Sequence, residues 1–474
     1  MKRITLLITL TIIIQINASS QGCLPDGITF TSQEQIDNFQ INFPNCTKIE
    51  GNLGISGADI SNLNGINVLS SIGGSLWIAY NDILIDLSGL ETIDSINGFF
   101  EVFSNPSLIN LSGISNLTFI GGEITIWSND TMNNLDGLNN LTSTSEKIWI
   151  QYNDLLVNLS GLDNLSFIGG DLWINDNNSM TSLIGLAELD SIGGNLSISD
   201  NLNLTSLYGL DNLNIIGSSF LVNHNPVLPN LEGLGNITYI GNDVWIANND
   251  TLTSLVGLDN ITSIGNTFTI RNNNSLLNLF GISNITSIGE NLKIIDNNTL
   301  SSLAEFNSLT SIGGDLIINE NNVLISLSGL QNIHSESIYN LSIYNNDLLS
   351  TCDVQSICDY IANPNGYTEI HDNNTGCNTK EEVDYECTLN IHNTKAKHTF
   401  IINPNPAKSE LSITSTSESI AINKITIYNQ LGQNVLQEKE ISNKIDISML
   451  NQGIYIIEIE SENLKIRKKL IIKE

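Results

Sequence analysis

Positive charge is nearly missing from most of this chain. Between residues 49 and 345 the only cations are Lys147, Arg271 and Lys293, set against 29 acidic residues, a local net of −26. Such a segment repels nucleic acid and anionic membrane, so neither is an expected partner. Cysteine is missing from the same stretch. The six cysteines stand in two flanking groups, Cys23 and Cys46 on one side and Cys352, Cys358, Cys377 and Cys387 on the other. An even count divided in this way predicts disulfide staples at two ends, formed in an oxidising compartment. Isolation pairs Cys23 with Cys46, while the other four admit three connectivities. The spacings contain no C-x2-C pair and His371 stands alone beside them, so no metal site is expected. Long apolar runs are scarce as well. The run at residues 4–14 is too short to cross a bilayer, and no transmembrane segment is expected elsewhere. That run follows Lys2 and Arg3 and precedes the small residues Ala18 and Ser20, the pattern of a signal peptide over residues 1–20. Histidine is also sparse, and only His224 falls on the strand face described below. Without a Cys or a Ser elbow beside it, no nucleophilic triad, catalytic residue or cofactor is expected.

What the chain has in abundance is repetition. A Gly followed by Leu or Ile occurs at Gly65, Gly89, Gly113, Gly137, Gly161, Gly185, Gly209, Gly233, Gly257, Gly281 and Gly329, with Glu305-Phe306 in the one remaining slot. Every step is a multiple of 24 residues, with no insertion before the slip near His334. Within each period an Ile-Gly turn precedes an apolar-x-apolar strand, and an Asn follows three residues later. Leu172, Ile174 and Asn177 show this, as do Leu76, Ile78 and Asn81. One such coil cannot bury its own Leu and Ile. Stacked coils can, because their strands pair in parallel and the apolar columns fuse into one core. About thirteen coils at ~4.8 Å each predict a stack on the order of 60 Å long. Its ends need caps, and the two cysteine groups stand where the caps belong. The Asn column is expected to be a structural ladder of amides.

The recurring L-x-I-x-x-N-x-x-L-x-x-L-x-G-L resembles a leucine-rich repeat, and its Leu-Thr-Ser-Ile-Gly-Gly flavour resembles the receptor L-domain variety. The resemblance implies a mainly β, right-handed solenoid over residues 49–350 with a parallel sheet on one face, and recognition of protein or glycan. Little helix-forming sequence lies between the strands, so the remaining sides should be turns and short extended pieces.

After residue 388 the balance changes to eleven cations against nine acids, which marks a different domain. The polar stretch 389–400 reads as a linker. Beyond it, short alternating strands within about seventy residues predict a small β-sandwich. The landmarks are Pro404-Asn405-Pro406, then Leu431-Gly432-Gln433, then Gly453-Ile454-Tyr455, and a terminal Lys468-Lys469-Leu470. Together they resemble the C-terminal sorting domain of type IX secretion substrates. That resemblance implies passage across the outer membrane on the type IX machinery, removal of residues 401–474, and attachment of the rest at the cell surface. The remaining divisions are an N-terminal cap at 21–48 and a cysteine-rich C-terminal cap at 351–388.

The strongest binding signal is aromatic. Residues between and just after the two apolar strand positions point away from the core. All five tryptophans fall there: Trp77, Trp149, Trp173 and Trp245 in a first outward column, and Trp127 in a second. Phe103 and Tyr152 lie beside them. An aromatic patch rimmed by Asp, Asn and Ser suits stacking on sugar faces or anchoring a protein. Carboxylates recur just before the ladder Asn, at Asp176, Asp200, Asp296 and Glu320. They read as solvated turn residues, although Asp176 and Asp200 sit on adjacent coils as a calcium pair or an acid/base pair would. The expectation is a non-enzymatic surface-binding or adhesion protein recognising an extracellular glycan or protein. The alternatives are a polysaccharide-acting enzyme, or a passive structural component of the surface.

Overall fold

The computed structural model describes residues 22–389, 400–404, 407–415, 422–429, 433–439, 444–461 and 464–473. The chain forms two compact units, residues 1–389 and 390–474. The expected signal segment and nearly all of the expected linker lie outside the described residues.

The first unit is a β-solenoid. Strands such as Ile148–Gln151, Leu172–Asn175 and Leu196–Ser199 pair in parallel and in strict register, Ile150 beside Ile174 beside Ile198. Fifteen strands join one sheet, two more than the repeat count predicts, because each cap adds one: Ile28–Phe30 at the start and Thr368–His371 at the end. Two-residue strands such as Phe167–Ile168 stack into narrower sheets of five and eight strands. The period-two alternation turns Leu172 and Ile174 fully inward. A single core runs from Phe30 to Val383, and each Leu or Ile buried in it contributes about 1.5–3 kcal/mol.

Two polar devices tie the coils together. The first is the expected Asn ladder, buried from Asn81 to Asn346. Asn201 shows its chemistry. Its Nδ2 donates to the Ile174 and Ser199 carbonyls at 2.9 and 3.0 Å, its Oδ1 accepts the Asn177 N–H at 3.1 Å, and its own N–H donates to Asn225 Oδ1 at 3.2 Å. Backbone groups that the turn leaves without a sheet partner are thereby satisfied. The second device lies at the surface, where Asn116, Asn140, Asn164, Asn236, Asn260 and Asn284 each donate to a carbonyl of the preceding coil at 2.5–2.7 Å. These are sequon asparagines, and their recurrence has this structural cause.

The glycine column has a backbone cause. Gly185 takes φ 110°, and a Cβ there would run into the Leu159 carbonyl of the coil below. Glu305 breaks the column because its coil turns differently, through the 3-10 segment Ala304–Ser308. The slip near His334 is also local. Leu316 pairs with Leu341 rather than a residue 24 on, and the extra residue is taken up in the 3-10 turn Ser335–Ser337.

The caps are stapled as their positions predict. Cys23 bonds Cys46, where Ile36 and Phe39 cover the first coil. Of the three connectivities open at the other end, the chain adopts Cys352–Cys377 with Cys358–Cys387, around the helix Gln355–Ala362.

The second unit is an antiparallel structure of one three-stranded and one four-stranded sheet. Its own core includes Leu411, Ile425, Ile427, Ile457, Ile459 and Leu470. Gly453 opens the strand Gly453–Ser461, the Tyr455 hydroxyl donates to the Asn451 carbonyl at 2.8 Å, and Lys468 and Lys469 lie on the paired strand Leu464–Ile472. Pro404 is exposed, whereas Asn405, Pro406 and Gly432 lie outside the described residues.

Candidate functional site

The strand face is built by what the core excludes. In Leu172–Asn175 the side chains of Leu172 and Ile174 fill the interior, so Trp173 and Asn175 must face away. The tryptophans do lie on this face, but half-buried against neighbours rather than freely exposed; Trp245 is the most open, at 38%. Their ring contacts form two groups, not one patch. In the second column Phe103 stacks on Trp127 with centroids 4.7 Å apart and planes 2° apart, and Tyr80 meets Phe103 edge-on at 5.2 Å. Trp127 Nε1 donates to Glu101 Oε1 at 3.3 Å. In the first column Trp149 and Trp173 meet edge-on at 5.7 Å, and the Lys147 ammonium lies 5.5 and 5.6 Å from the two ring centroids. Trp77 covers Gly54, where a Cβ would strike the indole. Tyr80 and Lys147 were not singled out by sequence reasoning. Lys147 had a signal, being one of three cations in the whole repeat segment.

A groove of about 500 Å³ opens beyond Trp173, a size ordinary for a small-ligand site. Between Trp173 and Trp245 the first column carries only Ser197 and Leu221, so two tall residues flank two short ones. Past Trp245 the column continues with Thr269 and Lys293. Asn195, Ser219, Asp243 and Thr267 line one side. These are themselves a ladder, since Asn195 Oδ1 accepts the Ser219 N–H at 3.0 Å and Asp243 Oδ1 accepts the Thr267 N–H at 3.0 Å.

The residue after each strand adopts the left-handed conformation, with φ between 51° and 59° in thirteen successive coils from Tyr80 to Asp372. Seven of the thirteen are Asn or Asp, the side chains that tolerate it best. This backbone requirement accounts for Asp176, Asp200 and Asp296. The first two do not converge: Asp176 Oδ2 accepts from Gln151 Nε2 at 2.9 Å, while Asp200 Oδ1 lies 3.9 Å from His224 Nδ1. Among the described residues no three His, Cys, Asp or Glu side chains gather as metal ligands. Tyr152 occupies the same slot, 50% exposed at the edge of the face.

His224, expected on the strand face, sits instead in this turn column after the strand Phe220–Asn223, and the strand face carries a different histidine. The C-terminal cap forms the last strand, which brings His371 beside Tyr344 with rings stacked at 5.1 Å. Hydrogen bonding to Asp372 at 2.8 Å raises its pKa above the ordinary 6.5, against a lesser pull of desolvation and with further help from Glu369.

A stapled parallel solenoid with a varied aromatic face, followed by an antiparallel tail, defines a repeat protein with a separate C-terminal unit. The comparisons agree for each unit. Residues 45–158 match the family described as Receptor L domain, and residues 401–473 match the Secretion system C-terminal sorting domain. The tail match indicates export by the type IX machinery, and the match over residues 45–158 indicates repeats of the receptor L-domain type there. Among the described residues no helix is long and apolar enough to cross a membrane. No curated protein matches the chain.

Proposed function

We propose that the protein is an exported recognition protein that holds an extracellular glycan on the aromatic strand face of its solenoid, at the bacterial surface and without turning the glycan over. One observation carries the reading. Inward positions are nearly uniform from coil to coil, whereas the outward columns carry five tryptophans, two of which, Trp173 and Trp245, flank a groove otherwise lined by Leu221 and by polar residues. Indole faces stack on the apolar faces of pyranose rings, and flanking hydroxyls, amides and carboxylates match sugar hydroxyls. The receptor L-domain match supports binding as the role, and the sorting tail supports an extracellular ligand. For an enzyme acting on polysaccharide, Asp176 and Asp200 are the carboxylates on adjacent coils. Their places are those the left-handed turn selects, and Asp176 already accepts from Gln151, which favours a binding role.

The test is a glycan-array and cell-surface pull-down screen of the full chain beside the Trp127/Trp149/Trp173→Ala triple variant. Binding that is lost in a folded triple variant supports the reading. Equal retention by the wild type, the triple variant and a Trp245→Ala variant sinks it, and so does release of shortened glycan. A protein captured in place of any glycan would move the ligand to the other class.

A further inference from the structure

We infer that the groove between Trp173 and Lys293 takes an acidic oligosaccharide, its pyranose rings against Trp245 and its carboxylate or sulfate groups at Lys293 and Arg271. This rests on the glycan-binding reading above and adds the charge class of the ligand and its orientation along the sheet.

Lys293 stands in the first column of the strand Leu292–Ile295, and Arg271 in the second column of the adjacent strand Phe268–Arg271. Both therefore project from the same face one coil apart. Among the described residues neither forms an ion pair, in a segment where acids outnumber cations 29 to 3. The third cation of the segment, Lys147, behaves differently and pairs with Glu123 at 3.0 Å. Two unpaired cations surrounded by acids are held on the one face that also bears the groove. Asp243 is the acid that lines the groove, and its Oδ1 is already taken by the Thr267 N–H. Lys293 and Asp243 are the charged residues that line the groove, and Arg271 on the adjacent strand adds a second positive charge beside its end. Thr269 adds an independent sign. It lies between Trp245 and Lys293 in the column, is 2% exposed, and its hydroxyl has no hydrogen-bond partner. A buried unpartnered hydroxyl beside a groove is costly unless something hydrogen-bonds to it. The first-column residues from Trp173 to Lys293 cover five strand spacings, about 24 Å at ~4.8 Å each, room for a short linear oligosaccharide lying across the strands.

The test titrates the full chain by calorimetry with three probes of about four sugars each: an oligogalacturonate, its methyl-esterified uncharged form, and a sulfated galactose oligomer. Beside wild type stand Trp245→Ala, the pair Arg271→Gln/Lys293→Gln, and the charge-keeping pair Arg271→Lys/Lys293→Arg. The expected result is that at least one acidic probe binds and the ester binds more weakly. The Gln pair should cost about tenfold or more in affinity for the acid, at ~1.4 kcal/mol per tenfold, and the charge-keeping pair should retain most of it. Raising salt should weaken acid binding to wild type and act little on the Gln pair. Which of the two acidic probes binds tells carboxylate from sulfate. An ester that binds as tightly as the acid, or an acid unaffected by the Gln pair, overturns the charge class while Trp245→Ala still removes binding. If Trp245→Ala binds every probe as wild type does, the groove is not the site at all. No binding by any probe overturns this inference and leaves the array screen to judge the broader reading.

Discussion

Ile174 and Trp173 are neighbours in one strand, and they obey different rules. The inward side of the sheet repeats with little variation: Leu, Ile, Val or Phe in the strand, Asn at the turn, Gly where the coil closes. The outward side runs Trp149, Trp173, Ser197, Leu221, Trp245, Thr269, Lys293 over seven consecutive strands. Each inward side chain is constrained by the coils above and below, so one solution serves them all. The outward side chains meet only their lateral neighbours and solvent, so they are free to carry recognition. Regularity marks the scaffold, and departures from it on the outer face mark the candidate site.

Substitutions on the two sides should separate widely. The largest effect is expected at Asn201→Ala, which orphans buried backbone groups on its own coil and on the preceding one and should cost roughly 3–5 kcal/mol in urea unfolding. A loss below about 1 kcal/mol would mean that water replaces the amide and that the ladder is ornamental. Ile174→Ala follows, at about 2–5 kcal/mol for a cavity in the fused core. Trp149→Ala should cost about 1 kcal/mol, chiefly the edge contact with Trp173 and the cation over both rings. Should it instead destabilise as much as Ile174→Ala, the contrast between inner and outer columns collapses and Trp149 belongs to the scaffold.

The smallest effect concerns pH. The His371 pKa is raised in the folded chain, first by its bond to Asp372. The stabilisation it adds is therefore fully present below the ordinary imidazole value and is lost as pH rises through the raised one. NMR titration should find His371 ionising above 6.5, and Asp372→Asn should draw it back down. An unchanged midpoint in that variant would remove the assigned cause.

Much of this was legible without coordinates. The 24-residue period, the inward columns, the Asn ladder and the flanking staples all follow from local spacing, because a stacked repeat makes residues 24 apart neighbours. The second unit was legible from its strand pattern and landmark motifs. Other features were not. The caps' own strands escaped notice because neither Ile28–Phe30 nor Thr368–His371 carries the repeat signature. The recurring acids read as turn residues, but the reason for their recurrence was hidden, because a left-handed backbone is invisible in composition. Tyr80 was overlooked because it sits in that turn column and not in a strand, yet its ring meets Phe103 edge-on beside the Phe103–Trp127 stack.

By itself the chain of residues determined a stapled parallel solenoid with a sorting-domain tail, since periodic burial, glycine placement and cysteine position are local facts repeated many times. Only the tertiary structure decided how the outer face is divided. Whether Trp173 leans on Trp149 or opens toward Trp245, which cysteines meet in the C-terminal cap, and which cations stay unpaired depend on side-chain directions and lateral neighbours. No repeat specifies those.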